Sequence, residues 1–170
     1  MELTDQEKTA LLEIARRAVI AKVANRELPR LSGDLPILKE KRGAFVTLKK
    51  RGHLRGCIGY IKAVKSLGET VQEMAVAAAF HDPRFPSVKS EEIRDLKFEI
   101  SVLSPLRKIQ SIDEIEVGNH GLFVVRGYNS GLLLPQVASE YGWDRETFLR
   151  ETCFKAGLPH KAWKDKETDI

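Results

Sequence analysis

Residues 53–60 read HLRGCIGY, and they follow a second run of similar character, GAFVTLKK, at residues 43–50. Both runs are short and contain β-branched and aromatic residues, which favour strands. Arg51 and Gly52 separate the two runs, and glycine tolerates the positive φ that a tight turn requires. The sequence therefore predicts an antiparallel β-hairpin, from which the rest of the fold can be worked out.

The length of the turn sets the register of this hairpin. If the two residues between the runs form the whole loop, Val46 lies opposite Cys57 and Leu48 lies opposite Arg55. Side chains alternate along a strand, so these four share one face in this register. Neither face is plainly polar in its middle, which predicts that other elements cover both faces.

Patterns elsewhere in the chain place strands among helices. Apolar residues recur at helical spacing from Thr4 to about Ala24, and a capping box from Ser66 to Glu69 opens a helix that must end near His81. The other predicted elements are a helical turn at 91–95, a strand at 96–105, a second hairpin around 128–130, and helices after Pro135 and Asp144. Strands come in hairpins, which indicates an α+β fold with a mainly antiparallel sheet.

Composition narrows the class of protein. A length of 170 residues suits one domain, or one domain with a small satellite, and 42% apolar with 31% charged residues is typical of a globular protein. No apolar run approaches the roughly 20 residues of a membrane span. Cys57 and Cys153 are the two cysteines, which predicts a reducing, cytoplasmic location rather than a disulfide scaffold.

Positive charge is concentrated in the first part of the chain. Residues 1–65 hold 15 Lys/Arg and 7 Asp/Glu, a balance of +8, whereas residues 66–170 hold 13 and 17, a balance of −4. The basic stretch from Lys39 to Arg55 contains seven of these cations. One interpretation is nucleic-acid binding. The other is a solvated hairpin whose lysines protect an edge strand. The uneven charge also fits self-association, so a dimer is an open alternative.

Cys57 is the candidate catalytic residue of the chain. A nucleophilic cysteine needs thiolate character and a base. Arg55, two residues away and about 7 Å along the strand, is suited to favour the thiolate. His53 lies too far along the same strand to act as the base, so a base would come from one of three distant histidines, His81, His120 and His160.

Metal binding and simple packing are the alternatives for the cysteines. Structural zinc ligands usually come in close pairs, whereas Cys57 and Cys153 are isolated and the four histidines are scattered. The sequence therefore predicts no metal and no cofactor. Cys153 has the spacing of a core residue, and Cys57 as a buried packing residue is the main alternative to a reactive thiol.

Gly56 and Gly59 flank this cysteine. Glycine within a strand usually marks a bulge or the close approach of another group. That group is either a ligand or the alanine-rich helix that includes residues 75–79.

The segment HDPRF at residues 81–85 is the second candidate for a site. Asp82 precedes a proline at a helix end, so its backbone is extended or in a turn. In one interpretation Asp82 and Arg84 face a ligand in a cleft. In the other, Asp82 accepts backbone N–H bonds and Arg84 pairs with an acid.

A buried Arg55 also needs a carboxylate, because an unpaired buried charge is costly. Asp82 and Glu99 are the expected suppliers. These considerations lead to one hypothesis, a single pocket lined by Arg55, Cys57, His81, Asp82, Arg84 and Glu99. Counted with the two glycines, the predicted ligand-binding residues are Arg55, Gly56, Gly59, Asp82, Arg84 and Glu99.

Taken together, the motifs resemble those of the AMMECR-one domain family. The resemblance lies in LRGCIGY at 54–60, AAAFHDPRFPSV at 77–88, FEISVLSP at 98–105 and the run from Gly131 to Leu158. It covers the chain from the first helix to Trp163. The hexapeptide LRGCIG is the family's hallmark and stands here without change.

The resemblance implies a fold and partners more than a reaction. It implies one domain over residues 1–170 with two subdomains, the larger an antiparallel sheet flanked by helices, and it places the hallmark strand near their junction. It also implies a gene neighbourhood shared with a Memo-like protein and a radical-SAM enzyme.

Three functions follow as hypotheses. The first is an accessory, regulatory or ligand-binding protein with a cleft around the LRGCIG strand, acting with Memo-like and radical-SAM partners. The second is an enzyme with Cys57 as nucleophile. The third is nucleic-acid binding through the basic hairpin at residues 39–55.

Overall fold

The computed structural model describes residues 3–31 and 34–170. The chain divides into two compact units, Met1–Pro105 and Leu106–Ile170. Helices and antiparallel sheets occur in both units, so the predicted α+β class is confirmed. No helix in the described part of the chain has the length and apolar character needed to cross a membrane.

The first unit is a three-stranded antiparallel sheet with helices. Its strands run in the order β2-β1-β3, so that β1 is central and the other two are edges. The elements in chain order are α1 (Asp5–Val23), α2 (Pro36–Lys39), β1 (Ala44–Lys50), β2 (His53–Tyr60), α3 (Leu67–Phe80), a 3-10 helix (Ser90–Asp95) and β3 (Leu96–Val102).

Both long helices of this unit begin at a capping box. The Thr4 hydroxyl accepts from the Glu7 backbone N–H while the Glu7 carboxylate accepts from the Thr4 backbone, and Ser66 and Glu69 repeat this arrangement at α3. Such reciprocal bonds satisfy N–H groups that have no partner inside the helix. The helix end predicted near His81 is confirmed, because α3 ends at Phe80.

The β1–β2 turn forms as predicted, but the register beyond it differs. Arg51 and Gly52 both have positive φ, 51° and 83°, as a two-residue hairpin turn requires. The register then shifts between Leu48 and Lys49, and Leu48 pairs with Gly56. The predicted pairings of Leu48 with Arg55 and of Val46 with Cys57 are therefore wrong. Arg55 is the extra residue of a β-bulge.

The bulge decides which side chains face the core. Ala44, Val46 and Leu48 are fully buried together with residues of the two long helices, including Leu11, Ala15 and Val19 of α1 and Val71, Met74 and Ala78 of α3. Thr47 pairs with Cys57, and together with Phe45 they lie on the opposite, outer face, where they are only half-buried. The sequence predicted that other elements cover both faces of the hairpin, but only the inner face is fully buried.

Gly56 brings β2 and α3 into close contact. A Cβ atom at this position would lie 2.1 Å from the carbonyl oxygen of Ala78. The obstacle is backbone, which a side-chain rotation cannot move away. The close approach of the alanine-rich helix therefore explains why residue 56 is glycine, which is one of the two interpretations given by the sequence.

The second unit is built around a two-stranded sheet. Its elements are a 3-10 helix (Ile112–Glu114), β4 (Leu122–Arg126), β5 (Asn129–Leu133), α4 (Pro135–Glu140), α5 (Arg145–Lys155) and a 3-10 helix (Ala162–Lys164). Arg126 pairs with Asn129, so the turn is Gly127-Tyr128 and begins one residue before the predicted turn at 128–130. Cys153 is fully buried beside Val124 and Leu158, which confirms its predicted core position.

The Gly56 contact predicts the effect of a single methyl group. We expect Gly56→Ala to lower the free energy of unfolding by about 3 kcal/mol, because the strand and the helix must separate to admit it. Urea unfolding followed by circular dichroism measures the change. Gly68→Ala in α3 is the control, since its nearest neighbour would be a flexible Leu31 methyl at 3.3 Å. A Gly56→Ala protein as stable as the control variant would contradict this packing.

Candidate functional site

The outer edge of β2 is held by two side chains from the HDPRF segment. Asp82 Oδ2 accepts from the backbone N–H of Cys57 at 2.8 Å, and Arg84 Nη2 donates to the carbonyl of the same residue at 3.3 Å. Among the described residues β2 is an edge strand, so no strand there pairs with these backbone groups. Asp82 and Arg84 therefore bind the edge of β2 where a further strand would otherwise bind.

Asp82 and Arg84 also bind each other. Asp82 Oδ1 accepts from Arg84 Nε at 2.9 Å and Oδ2 accepts from Nη2 at 2.7 Å, while the Arg84 backbone N–H donates to Oδ1 at 3.1 Å. The Asp82 side chain is 1% exposed, whereas that of Arg84 is 53% exposed. These bonds, that from Arg84 first, hold the pKa of the Asp82 carboxyl far below its usual value despite its burial. The carboxylate is thus ionised and fully engaged in a turn.

The Cys57 side chain lies on the outer face of the sheet. The Thr47 hydroxyl, on the paired residue of β1, donates to Cys57 Sγ at 3.2 Å. Cys57 is half-buried and is not part of a disulfide. Within residues 3–31 and 34–170, no carboxylate or imidazole is among the hydrogen-bond partners of this sulfur. The arrangement presents a thiol beside a hydroxyl, without an adjacent base.

Arg55 makes a different ion pair from the one expected. Its Nε and Nη2 donate to the two carboxylate oxygens of Glu92 at 3.2 and 3.0 Å, in a bidentate pair in which both side chains are nearly buried. The expected partners Asp82 and Glu99 are therefore wrong. As the bulge residue, Arg55 is displaced from the alternation that would have placed it beside Cys57. Its Nη1 is buried and without a hydrogen-bond partner in the described part of the chain.

Glu92 is the residue that the sequence reasoning missed. Besides Arg55, it accepts from Lys50 Nζ at 2.8 Å and from the Lys89 backbone N–H at 3.1 Å. These donors, Arg55 first, lower the pKa of Glu92 to about 2. Its only signal in the sequence was the acidic helical turn at 91–95. Within that turn nothing distinguishes Glu92 from Glu91 as the partner of Arg55, which lies 37 positions earlier in the chain.

The six residues of the predicted pocket form separate groups. Cys57, Asp82 and Arg84 are connected directly, whereas Arg55 belongs to the group around Glu92. Glu99 binds Lys49 at 2.9 Å and pairs with Thr47, so it shares the outer face with Cys57 on the far side of β1. His81 is an exposed residue at the end of α3. Asp82 and Arg84 match the turn interpretation of their segment, with Asp82 itself as the acid.

Gly59 has an explanation within the chain, as Gly56 does. A Cβ at Gly59 would lie 2.3 Å from Cγ of Phe45, whose ring covers this position on the outer face. Both glycines of the hallmark thus serve close packing, one on each face of β2. A ligand-binding role for either residue stays a prediction.

The metal-ligating side chains and the histidines considered as bases are dispersed over the described part of the chain. No three His, Cys, Asp or Glu side chains in the described ranges, 3–31 and 34–170, lie close enough together to hold a metal ion. His120 accepts from the Glu116 backbone N–H, and His160 stacks on Phe154 with 5.4 Å between ring centroids. Both histidines therefore have local roles in the second unit.

Most cations of the basic stretch have an acidic side chain within ion-pair distance. Six of its seven members form ion pairs, namely Lys39 with Asp34, Arg42 with Glu40, Lys49 with Glu99, Lys50 and Arg55 with Glu92, and Arg51 with Asp95. Paired cations attract phosphates less than free ones do. This pairing favours the interpretation as a solvated hairpin.

Comparison with known proteins gives consistent matches over nearly the whole chain. The family model AMMECR1 matches residues 12–170. A protein of Methanothermobacter thermautotrophicus is 47% identical over 175 residues, covering 99% of this chain and 91% of that protein. One of Thermococcus onnurineus is 44% identical over 94% of this chain and 83% of that protein. The crystal structure of an uncharacterized protein from Pyrococcus horikoshii matches with a TM-score of 0.88 at 44% identity, covering 94% of this chain and 84% of that one.

The Glu92 group predicts a pH-dependent contribution to stability. A carboxyl whose folded-state pKa is depressed stabilises the fold above its unfolded pKa, near 4.5, and that stability is lost as the pH falls towards 2. We expect Glu92→Gln to be less stable than wild type by about 2 kcal/mol at pH 7 and to approach it between pH 4.5 and 3.

Urea unfolding at pH 7, 5, 4 and 3 measures this difference. Glu99→Gln is the matched control, because its carboxylate pairs with Lys49 at 54% exposure and such a pair contributes little. A Glu92→Gln deficit that stays constant from pH 7 to pH 3 would contradict the prediction.

Proposed function

This chain belongs to the AMMECR1 family, and we propose that it is a binding or accessory protein that recognises a partner through the outer face of its first sheet at Cys57. The surface is formed by Phe45, Thr47 and Cys57, with Arg84 at the edge. Cys57 and Arg84 belong to the predicted site, and Phe45 and Thr47 are the residues of β1 that pair with Gly59 and Cys57.

The observation that carries this proposal is that the charged side chains of the LRGCIG and HDPRF motifs are engaged in ion pairs within the chain. The Asp82 carboxylate is buried and fully bonded, and Arg84 and Arg55 both pair with carboxylates. A nucleophilic cysteine needs a base positioned to take its proton. Asp82 and Arg84 instead fix the backbone of β2 at Cys57, which supports a rigid recognition surface over a catalytic centre.

The family resemblance suggests which partners to test. Prokaryotic members look like part of a set with a Memo-like protein and a radical-SAM enzyme, so these two are the proposed partners. Around Cys57 the outer face combines one aromatic ring, a hydroxyl and a thiol with the Lys49–Glu99 ion pair on neighbouring residues of β1 and β3. Such a mixture suits the centre of a protein interface better than a site for a highly charged ligand.

A substitution on the outer face tests the proposal. We expect Thr47→Arg to weaken binding to the Memo-like or the radical-SAM protein from the same genome at least about tenfold, because the added side chain would cover the surface. Biolayer interferometry with purified proteins measures the affinity, and circular dichroism confirms the fold.

Val64→Arg is the matched control, since Val64 lies outside the sheet and is 64% exposed. Equal binding by both variants would place the interface elsewhere. Failure of the wild-type protein to bind either partner at micromolar concentration would remove these partners.

A cysteine-dependent enzyme is the second candidate, and one contact favours it. The Thr47 hydroxyl donates to Cys57 Sγ, and a hydrogen bond to the charged form of a group favours that form. In this candidate Cys57 is the nucleophile and Thr47 helps to stabilise its thiolate.

Iodoacetamide labelling separates the two candidates. Cys57 is accessible, whereas Cys153 is fully buried and burial raises its pKa, so we expect Cys57 to label first. If the binding proposal holds, Cys57 labels at pH 7 no faster than an ordinary exposed thiol, and Thr47→Val leaves the rate unchanged. An enzyme predicts fast labelling that slows severalfold in Thr47→Val. Thr9→Val, on the exposed side of α1, is the control.

A further inference from the structure

The hydrogen bonds at Cys57 determine which backbone groups face the other edge of the sheet. Cys57 directs its N–H and carbonyl away from β1, towards Asp82 and Arg84. Its partner Thr47 must therefore direct its own groups towards β3, where it pairs with Glu99. Bonding alternates along an antiparallel strand, so the backbone groups of Phe98, Ile100 and Val102 point away from β1.

An independent contact agrees with this assignment. Arg16 of α1 donates to the carbonyl of Leu96 at 3.4 Å, and by the same alternation that carbonyl lies on the outer edge. Beyond Leu96 the edge is open, because no strand within residues 3–31 and 34–170 pairs with the far side of β3. Three successive outward-facing residues thus offer donors and acceptors to a further strand.

Helix α1 provides an apolar surface beside this open edge. Arg16 reaches over the edge and lies 5.6 Å from the centre of the Phe98 ring, which fixes the side of α1 that faces β3. Leu12 and Ile20 lie one helical turn before and after Arg16, on the same side of the helix. They are 39% and 44% exposed, so this apolar stripe is not covered.

From this juxtaposition we propose that the open edge of β3 and the Leu12–Arg16–Ile20 side of α1 form a docking groove for an extended peptide of a partner protein. The peptide adds a fourth strand beside β3 through its backbone. Its side chains at alternate positions point to α1 and pack on Leu12 and Ile20. The groove lies at the opposite edge of the sheet from β2 and does not depend on the surface at Cys57.

A peptide fits this groove better than a second copy of the chain does. Two copies paired through β3 at a strand spacing of about 4.8 Å would bring two Lys97 and two Arg16 side chains to one shared edge. Like charges on neighbouring strands are destabilising. A peptide strand that carries an acidic residue avoids this conflict.

The positive charge on the outer face of β3 indicates one more property of the peptide, an acidic side chain. Lys97 is exposed on the outer face of β3, and its neighbour Glu99 is already paired with Lys49. The peptide position opposite Lys97 therefore favours a carboxylate. The partner chemistry is an extended segment with apolar residues at every second position and an acidic residue between them.

Selection from a phage-displayed library of random nonapeptides on the full-length protein tests the proposal. We expect enrichment of alternating apolar peptides that carry an acid. The best peptide is then synthesised with a fluorescein label and its affinity measured by anisotropy. Leu12→Ser and Ile20→Ser should each weaken binding about tenfold through lost apolar burial. Leu28→Ser is the matched control, because Leu28 is 42% exposed and lies outside the groove.

Backbone pairing has its own readout. Bound peptide should slow hydrogen exchange at the amides of Phe98, Ile100 and Val102, and N-methylation at one alternating set of peptide amides should abolish binding. The proposal is overturned if no alternating peptide is enriched, if Leu28→Ser weakens binding as much as the groove variants, or if exchange at these amides does not change. Thr47→Arg should bind the peptide normally, so failure here is distinguishable from failure of the Cys57 proposal.

Discussion

The buried carboxylate of Asp82 is the constraint on which the first unit depends. It accepts bonds from the backbone of Cys57 and from Arg84 at once, while its side chain is almost inaccessible to water. A buried charge persists only when its lone pairs are satisfied, and here the edge strand and the turn after α3 supply the donors. The carboxylate therefore ties the hallmark strand to the helix that packs over it through Gly56.

A second charged group stabilises the other part of the same strand. The bulge displaces Arg55 from the regular alternation of side chains. The Glu92 carboxylate accepts hydrogen bonds from both Arg55 and Lys50. Without the extra residue, Gly56 would not face Ala78 and Cys57 would not lie beside Thr47. Bulge, glycine and ion pair thus form one arrangement, whose result is a thiol presented on the accessible face of the sheet.

The sequence predicted those features that depend on local chemistry. The Arg51-Gly52 turn, the capping boxes of α1 and α3, and the end of α3 before Pro83 all follow from residue types within a few positions. The register failed because a bulge depends on contacts far along the chain, and the side-chain pattern of β2 fits either register. The predicted partner of Arg55 was wrong for the same reason, since several acidic residues were available and only the fold selects Glu92. The shared motifs, in turn, indicated the family and its fold but no reaction.

The two edges of the first sheet also bear on aggregation. Fibres of stacked sheets need two open edges on every molecule, so that each added copy exposes a new template. At β2 the Asp82–Arg84 turn occupies the edge at Cys57, and the positive charges of Lys97 and Arg16 disfavour pairing of β3 with a like edge. Such a molecule binds one added strand at β3 and has, among the described residues, no second open edge from which a polymer could extend. The peptide-binding edge can therefore remain exposed at high protein concentration without leading to fibre formation.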